Sequence, residues 1–203
     1  MDRSDLLKVL HLEAFIALDF ETTGLQVEVD RVMEVAAILF KDGVPADRFT
    51  TLINPGIPIP KFIEEITGIT NEMVADAPAE NNILDNLFEF IGDYPLVAHN
   101  MPFDFSFLQK MALRHQKELS DRKLYDTLTL SRALLFFQPT HNLTAVSDYF
   151  GLSTEGAHRA EYDTENCGKI FVKFIEEAAS YNLDLISRIV ALLKPFQVHN
   201  KEL

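Results

Sequence analysis

The chain has a single cysteine, Cys167, among its 203 residues. No intramolecular disulfide can form, which fits a reducing, cytoplasmic setting. Basic residues are also scarce: 18 Lys and Arg stand against 31 Asp and Glu, a formal net charge of −13. A protein that coats duplex DNA presents a basic face, so that class is disfavoured, whereas an enzyme that holds a few nucleotides through metal ions is not. Long apolar runs are missing as well. The longest, VAAILF (35–40), falls far short of the ~20 residues that a membrane helix needs, so no membrane partner is expected. The opening MDRSDLLKVL mixes acids and bases, so no secretory leader is expected there. Repeats and low-complexity segments are absent. What is present is a hydrophobic share of 47%, enough to build a sizeable core in one domain, or in a domain plus a small extension.

The apolar patterning predicts strands first. FIALDF (15–20), VMEVAAILF (32–40) and RFTTLIN (48–54) read as three strands, with Asp42-Gly43 as a turn. Connections this short favour an antiparallel meander. A proline-rich loop, NPGIPIPKF, and a short TGIT element follow. Beyond residue 80, helices alternate with strands. Ile83, Leu84, Leu87, Phe88 and Ile91 fall at helical spacing, and Gly92 ends the run. PLVAHN (95–100) reads as a short buried strand. Pro102 suits the first turn of the next helix, whose core face is Phe103, Phe107, Leu108 and Met111. KLYDT supplies a fifth strand, and Asp126 caps a helix running through 137. Asn142 caps another, with Leu143, Val146 and Phe150 inward and Gly151 closing it. A helix over about 160–179 turns Cys167, Phe171, Phe174, Ile175 and Ala178 inward, and a last one runs from near Asn182 to just before Pro195. The expected fold class is α/β: a mixed sheet with helices on both faces and function at the ends of the central strands.

Three stretches set acids into this apolar order. In FIALDFETTGL (15–25), Asp19 and Glu21 sit two apart at a strand end, so they share a face. Two like charges that close favour protonation of one, and a hard cation such as Mg²⁺ or Mn²⁺ removes the conflict. By itself the pair also reads as a solvated strand end. In HNMPFDFSFL (99–108), Asp104 lies in the first turn of a helix among three phenylalanines. The helix dipole accounts for the acid but not for its apolar company. In HRAEYD (158–163), five residues of helix would turn His158 and Asp163 about 140° apart. Both reach one place if His158 lies on the loop before the helix. Alone, His158 reads as a capping or surface histidine. Together, four carboxylates and one histidine at strand ends and helix starts are what a two-metal phosphodiesterase needs, with a histidine of pKa near ~6.5 able to take a proton from water.

At these residues the chain resembles the DEDDh 3′–5′ exonucleases of the ribonuclease H-like fold, most of all the DnaQ/epsilon and PolC exonuclease domains of bacterial DNA polymerase III. LDFETTGL, VAHNMPFDFSFL and HRAEYDT match the family's three motifs, and ITGIT with NEMVADAP matches the segment between the first two. The resemblance covers roughly residues 13–178. It implies a five-stranded mixed sheet and an exonuclease domain over 13–179; residues 180–203, read from their own pattern as a C-terminal helix and tail, go beyond the part that matches. It implies that Asp19, Glu21, Asp104 and Asp163 ligate two Mg²⁺ or Mn²⁺ ions, with Asp19 bridging both, and that His158 is the general base. It places Thr22, Thr23 and Leu25 along the terminal nucleotide, with Thr67, His99 and Phe103 lining the same pocket. Thr67 stands where epsilon-type proteins carry a histidine, which brings ITGIT closer to the PolC form. Asp126 is set aside as a fifth ligand, because helix capping accounts for it.

The expected function is therefore a metal-dependent 3′–5′ exonuclease that acts on single-stranded or frayed DNA ends and releases 5′-nucleoside monophosphates in a proofreading or repair role, with a DNA polymerase or other replication protein as a candidate partner. One alternative is an exoribonuclease that trims RNA ends. Another is a non-catalytic adaptor that binds a polymerase or helicase, which would have no need of the five-residue set. The most basic stretch, RHQKELSDRK (114–123), reads as a solvated helix end, and no clamp-binding peptide is read. In the C-terminal helix, Leu183, Ile186, Val190 and Leu193 form one stripe, expected to pack on the domain itself.

Overall fold

The computed structural model describes residues 3–154 and 159–180. The expected loop position of His158 and the helix expected from Asn182 lie outside the described residues. In chain order the elements are α1 (Arg3–Leu10), β1 (Ala14–Thr22), β2 (Val32–Lys41), β3 (Val44–Leu52), α2 (Lys61–Thr67), α3 (Asn71–Ala75), α4 (Glu80–Ile91), β4 (Leu96–Ala98), α5 (Met101–Arg114), β5 (Leu124–Asp126), α6 (Thr127–Leu134), α7 (Leu143–Tyr149) and α8 (Ala160–Ser180). The sheet order is β3-β2-β1-β4-β5. β1 to β3 form the antiparallel meander, and β4 and β5 join β1 in parallel. This is the five-stranded mixed sheet that the patterning implied, and no described helix is long and apolar enough to cross a membrane.

Strand alternation sorts β1 onto two faces. Phe15 and Ala17 join Ile38 and Phe40 of β2 in a core covered by α8 through Cys167, Ile170, Phe171, Phe174 and Ile175. Ile16, Leu18 and Phe20 face the opposite core, covered by α4 and α5 through Leu84, Leu87, Phe107 and Met111. With both faces covered, β2 is buried from Val32 to Phe40. An aromatic stack anchors α8 to the sheet. Phe15 and Phe40 lie parallel with centroids 5.0 Å apart, and Phe171 meets Phe15 edge-on at 5.1 Å.

Several boundaries differ from the sequence reading. The first fifty residues are not all strand: α1 packs Leu6 and Leu7 into the α8 core and pairs Arg3 with Glu176 at 3.1 Å. β3 begins at Val44, not at 48, because Asp42 and Gly43 both take positive φ and make a two-residue hairpin. Pro45 is accommodated because β3 is an edge strand. The proline-rich loop is non-helical through Pro60, as expected, but its last two residues open α2, and α3 follows at Asn71–Ala75 where only a short TGIT element is expected. Each is too short to show a period, and they form around a small satellite core of Ile59, Ile63, Ile69 and Val74. α6 stops at Leu134 rather than 137: Leu135 turns into the core while Phe136 and Phe137 stay exposed, consistent with the bias against helix just before Pro139. On α5, Phe105 is buried and Phe103 only half-buried.

Gly168 of α8 has a packing reason. A Cβ there would lie 2.2 Å from the buried Phe40 ring. An alanine in a helix interior ordinarily adds about 1 kcal/mol over glycine, but here it would push α8 off the aromatic stack. We expect Gly168→Ala to destabilise the protein by about 1–3 kcal/mol, the usual cost of overpacking, read from urea unfolding midpoints. A stabilising effect would mean that the helix does not ride on Phe40.

Candidate active site

Asp19 and Glu21 follow Phe15 and Ala17 in the alternation, so they fall on the sheet face that α8 covers. That helix carries Asp163 in its first turns. Oxygen atoms of Asp19, Glu21 and Asp163 all lie within 4.8 Å of one another. All three side chains are partly buried.

Asp104 arrives from the other layer. β4 pairs with β1 only at Ile16 and Ala17, so the edge of β1 beyond is open on that side. Asp104, in the first turn of α5, accepts the Phe20 N–H at 3.1 Å there and is almost completely buried. The turn that delivers it uses Asn100 with φ of 85°, a conformation that Asn tolerates. Asp104 stands outside the three-residue cluster.

Burial and mutual proximity disfavour the charged forms of these acids. Burial first, then the charges of Asp163 and Glu34, push the Asp19 carboxyl up to about 8. Burial, then the charges of Asp19, Asp163 and Glu34, push Glu21 up to about 9, against the pull of Arg159. Asp104 is also raised, by burial and then by Asp19, with the Phe20 N–H opposing. Carboxylates forced together at this spacing are a hard-cation donor set, so the residues present fit the divalent metals that the sequence implied.

The predicted substrate residues take varied places. Thr22 donates to the Gly24 carbonyl at 2.6 Å. The Thr23 hydroxyl donates to Asp30 at 3.2 Å and accepts from the Arg31 N–H at 3.0 Å. Both threonines build the turn after β1, and Gly24 leaves room for the Asp30 carboxylate, which a Cβ there would approach to 2.5 Å unless Asp30 shifted. Leu25, at the tip, is 82% exposed. Thr67 is buried and turned onto its own helix, donating to the Ile63 carbonyl at 2.9 Å. His99 bridges two segments. Nε2 lies 2.8 Å from the His141 carbonyl, and Nδ1 lies 2.9 Å from the Thr127 hydroxyl. Facing a carbonyl, Nε2 carries the proton, and burial lowers the pKa of the ring. Phe103 is half-buried and packs on Phe107 with centroids 5.0 Å apart.

Asp126 caps α6 through the Leu128 N–H at 3.0 Å and also holds the Asn100 N–H at 2.9 Å, joining the starts of two helices. The sequence reading missed Glu34. It lies directly across from Glu21 and receives Arg159. A signal was present: an acid inside the otherwise apolar run of β2 must find a partner to be buried.

Comparison with known proteins gives one consistent picture. The RNase_T family model, described as an exonuclease, matches residues 16–171. A PolC-type DNA polymerase III of Bacillus cereus is 36% identical over 84% of this chain and 12% of its own length. The chain thus spans about an eighth of the PolC-type relatives it matches. A DNA polymerase III epsilon subunit of Aquifex aeolicus is 33% identical over 80% of this chain and 81% of that protein. A solved structure of Exonuclease X with 5′-overhanging duplex DNA shares the fold, with a TM-score of 0.65 and 24% identity over 86% of this chain and 98% of its own.

The raised carboxyls imply a pH signature. In the unfolded chain these groups hold protons only below about 4, whereas folded Asp19 and Glu21 hold them up to about 8 and 9. The folded state binds more protons across that window, so stability without metal falls as pH rises from about 4 to 9. We expect thermal melts in EDTA to show that fall, Asp19→Asn to flatten it, and Mn²⁺ to raise Tm more at pH 8.5 than at pH 6. A metal-free Tm that climbs across the window would contradict the cluster.

Proposed function

The chain belongs to the exonuclease family, and on that premise we propose that it is a 3′–5′ exonuclease that hydrolyses the terminal phosphodiester of single-stranded or frayed DNA with two Mg²⁺ or Mn²⁺ ions. The convergence of Asp19, Glu21 and Asp163 to within 4.8 Å carries this reading. It is a charge conflict, held on stiff elements, that a cation resolves. Those three residues, with Asp104, would hold the ions. Bound there, divalent metals supply Lewis-acid chemistry to the attacking water and the leaving oxygen.

The protein's own part is positioning and proton transfer. β1 fixes Asp19 and Glu21, and α8 fixes Asp163. Asp104 ties α5 to the open edge of β1 through the Phe20 N–H. His158, which directly precedes Arg159 in the chain, takes the proton from the water. Exposed Leu25 and half-buried Phe103 offer apolar surface to the terminal nucleotides. Thr22, Thr23, Thr67 and His99 shape the pocket through the turns and segments they hold. DNA as substrate, and a proofreading or repair setting beside a polymerase, are supported by the names of the polymerase III relatives.

Asp19→Ala and Asp163→Ala should each abolish Mg²⁺-dependent digestion of a 3′-labelled oligonucleotide while far-UV circular dichroism stays native. Full activity in both would overturn the assignment. His158→Ala should cost 10²–10⁴ in rate, the usual share of a general base, and a loss below about tenfold would exclude that role. A matched RNA 15-mer cut faster than the DNA one would reverse the substrate.

Binding should depend only weakly on salt. A site that grips two or three nucleotides of single strand gives a log–log slope of about −2 or shallower, consistent with the net charge of −13. Fluorescence anisotropy across a salt series measures it, and a slope near −6 would show a much longer footprint.

A further inference from the structure

Glu34 is the acid that the chemistry above leaves unused. It lies on β2 opposite Glu21, and its side chain is 8% exposed. Both of its oxygens are taken. Oε1 accepts from Arg159 Nη2 at 2.7 Å, and the Arg159 Nε–H is shared between Oε1 and Oε2, each at 3.3 Å. Oε2 also accepts the Ala160 N–H at 3.1 Å. Ala160 opens α8, so Glu34 caps that helix from a neighbouring strand, where a carboxylate also suits the helix dipole. The next link is backbone: the Arg159 carbonyl accepts the Asp163 N–H at 3.2 Å. One continuous path therefore runs from the strand beside Glu21, through Arg159, to the carboxylate-bearing turn of α8.

Stability alone is a weak reason for this pair. Glu34 is buried but the Arg159 side chain is 44% exposed, so solvent screens much of their attraction, and the rest of β2 from Val32 to Phe40 is apolar. Among its own neighbours, Glu34 is even a liability, because its charge opposes ionisation of Asp19 and Glu21.

We propose that the Glu34–Arg159 pair is a positioning device that sets the first turn of α8 against β1, so that Asp163 meets Asp19 and Glu21 at metal-binding distance. The inference rests on the exonuclease reading and adds two positioning residues to it. Arg159 lines an open cavity of about 360 Å³ together with Glu34, Thr50, Thr51, Leu52, Glu161 and Tyr162. Truncating it therefore leaves no sealed void, and Arg159→Ala should fold.

The test compares Glu34→Gln, Arg159→Ala, Arg159→Lys and the Glu34→Gln/Arg159→Ala double variant by Mn²⁺ titration calorimetry, by kcat and KM on a single-stranded oligonucleotide, and by Tm. Positioning predicts that both single variants weaken Mn²⁺ binding, by about threefold or more, and lower kcat by about tenfold or more, with KM changed less than about twofold. The double variant should be no worse than the poorer single one, because a broken pair cannot be broken twice. Lysine should restore part of the loss, since it supplies the charge without the fork. A purely electrostatic role predicts the opposite sign for Arg159→Ala: an uncompensated Glu34 would tighten Mn²⁺ binding, and that result overturns the proposal. A lowered Tm with unchanged Mn²⁺ binding and kcat overturns it too, leaving only a structural ion pair. Wild-type protein that is inactive with Mn²⁺ would defeat the exonuclease reading instead, and the calorimetry would still decide the pair.

Discussion

The structure turns on a repulsion. Asp19, Glu21 and Asp163 are held with oxygens within 4.8 Å, and partial burial limits how far water can disperse charge there. No such arrangement is favourable by itself. It persists because each acid sits on an element fixed for other reasons: β1 by two covered faces, and α8 by its packing across β1 and β2. The site is thus a local cost carried by a large core, the usual bargain at functional positions.

The bearing between α8 and the sheet is therefore the central mechanical part. At one point Gly168 lets the helix approach Phe40, which stacks on Phe15. Nearer the site, Arg159 reaches Glu34, and the Thr164 hydroxyl reaches the Ala36 carbonyl at 3.4 Å. The apolar contacts fix how close the helix lies, whereas the polar contacts fix where along the strand its first turn stands. α5 solves the matching problem on the opposite layer with one hydrogen bond, from the Phe20 N–H to Asp104. That bond exists because β4 is too short to cover the edge of β1.

Much of this was legible in the residues. Apolar alternation gave the five strands and their order of appearance, and helical spacing gave α4, α5, α7 and α8 close to their true bounds. Asp126 and Asn142 stood out as caps and cap as expected. The failures share a cause. α1, α2 and α3 are short, and their helical state is decided by docking onto α8 or onto the Ile59–Val74 satellite core, neither of which has a local signature. Thr67 lies at the end of α2, and its hydroxyl donates to the Ile63 carbonyl one turn earlier, a local bond that periodicity does not announce. Glu34 has a partner 125 positions away, which no local pattern can announce.

The sequence by itself determined which groups are candidates for the chemistry. Carboxylates at i and i+2 on a strand must share a face, a first-turn acid must sit at a helix start, and these facts need no partner. It also determined the family, because motif order and spacing are properties of the chain. What only the tertiary structure decided is which carboxylates meet. The face of β1 that carries Asp19 and Glu21 is the face that α8 covers, so Asp163 joins them directly, while Asp104, coming from the opposite layer, binds the strand's backbone beside them. Local periodicity fixes the direction of a side chain, but the packing of two layers against one sheet fixes what it points at.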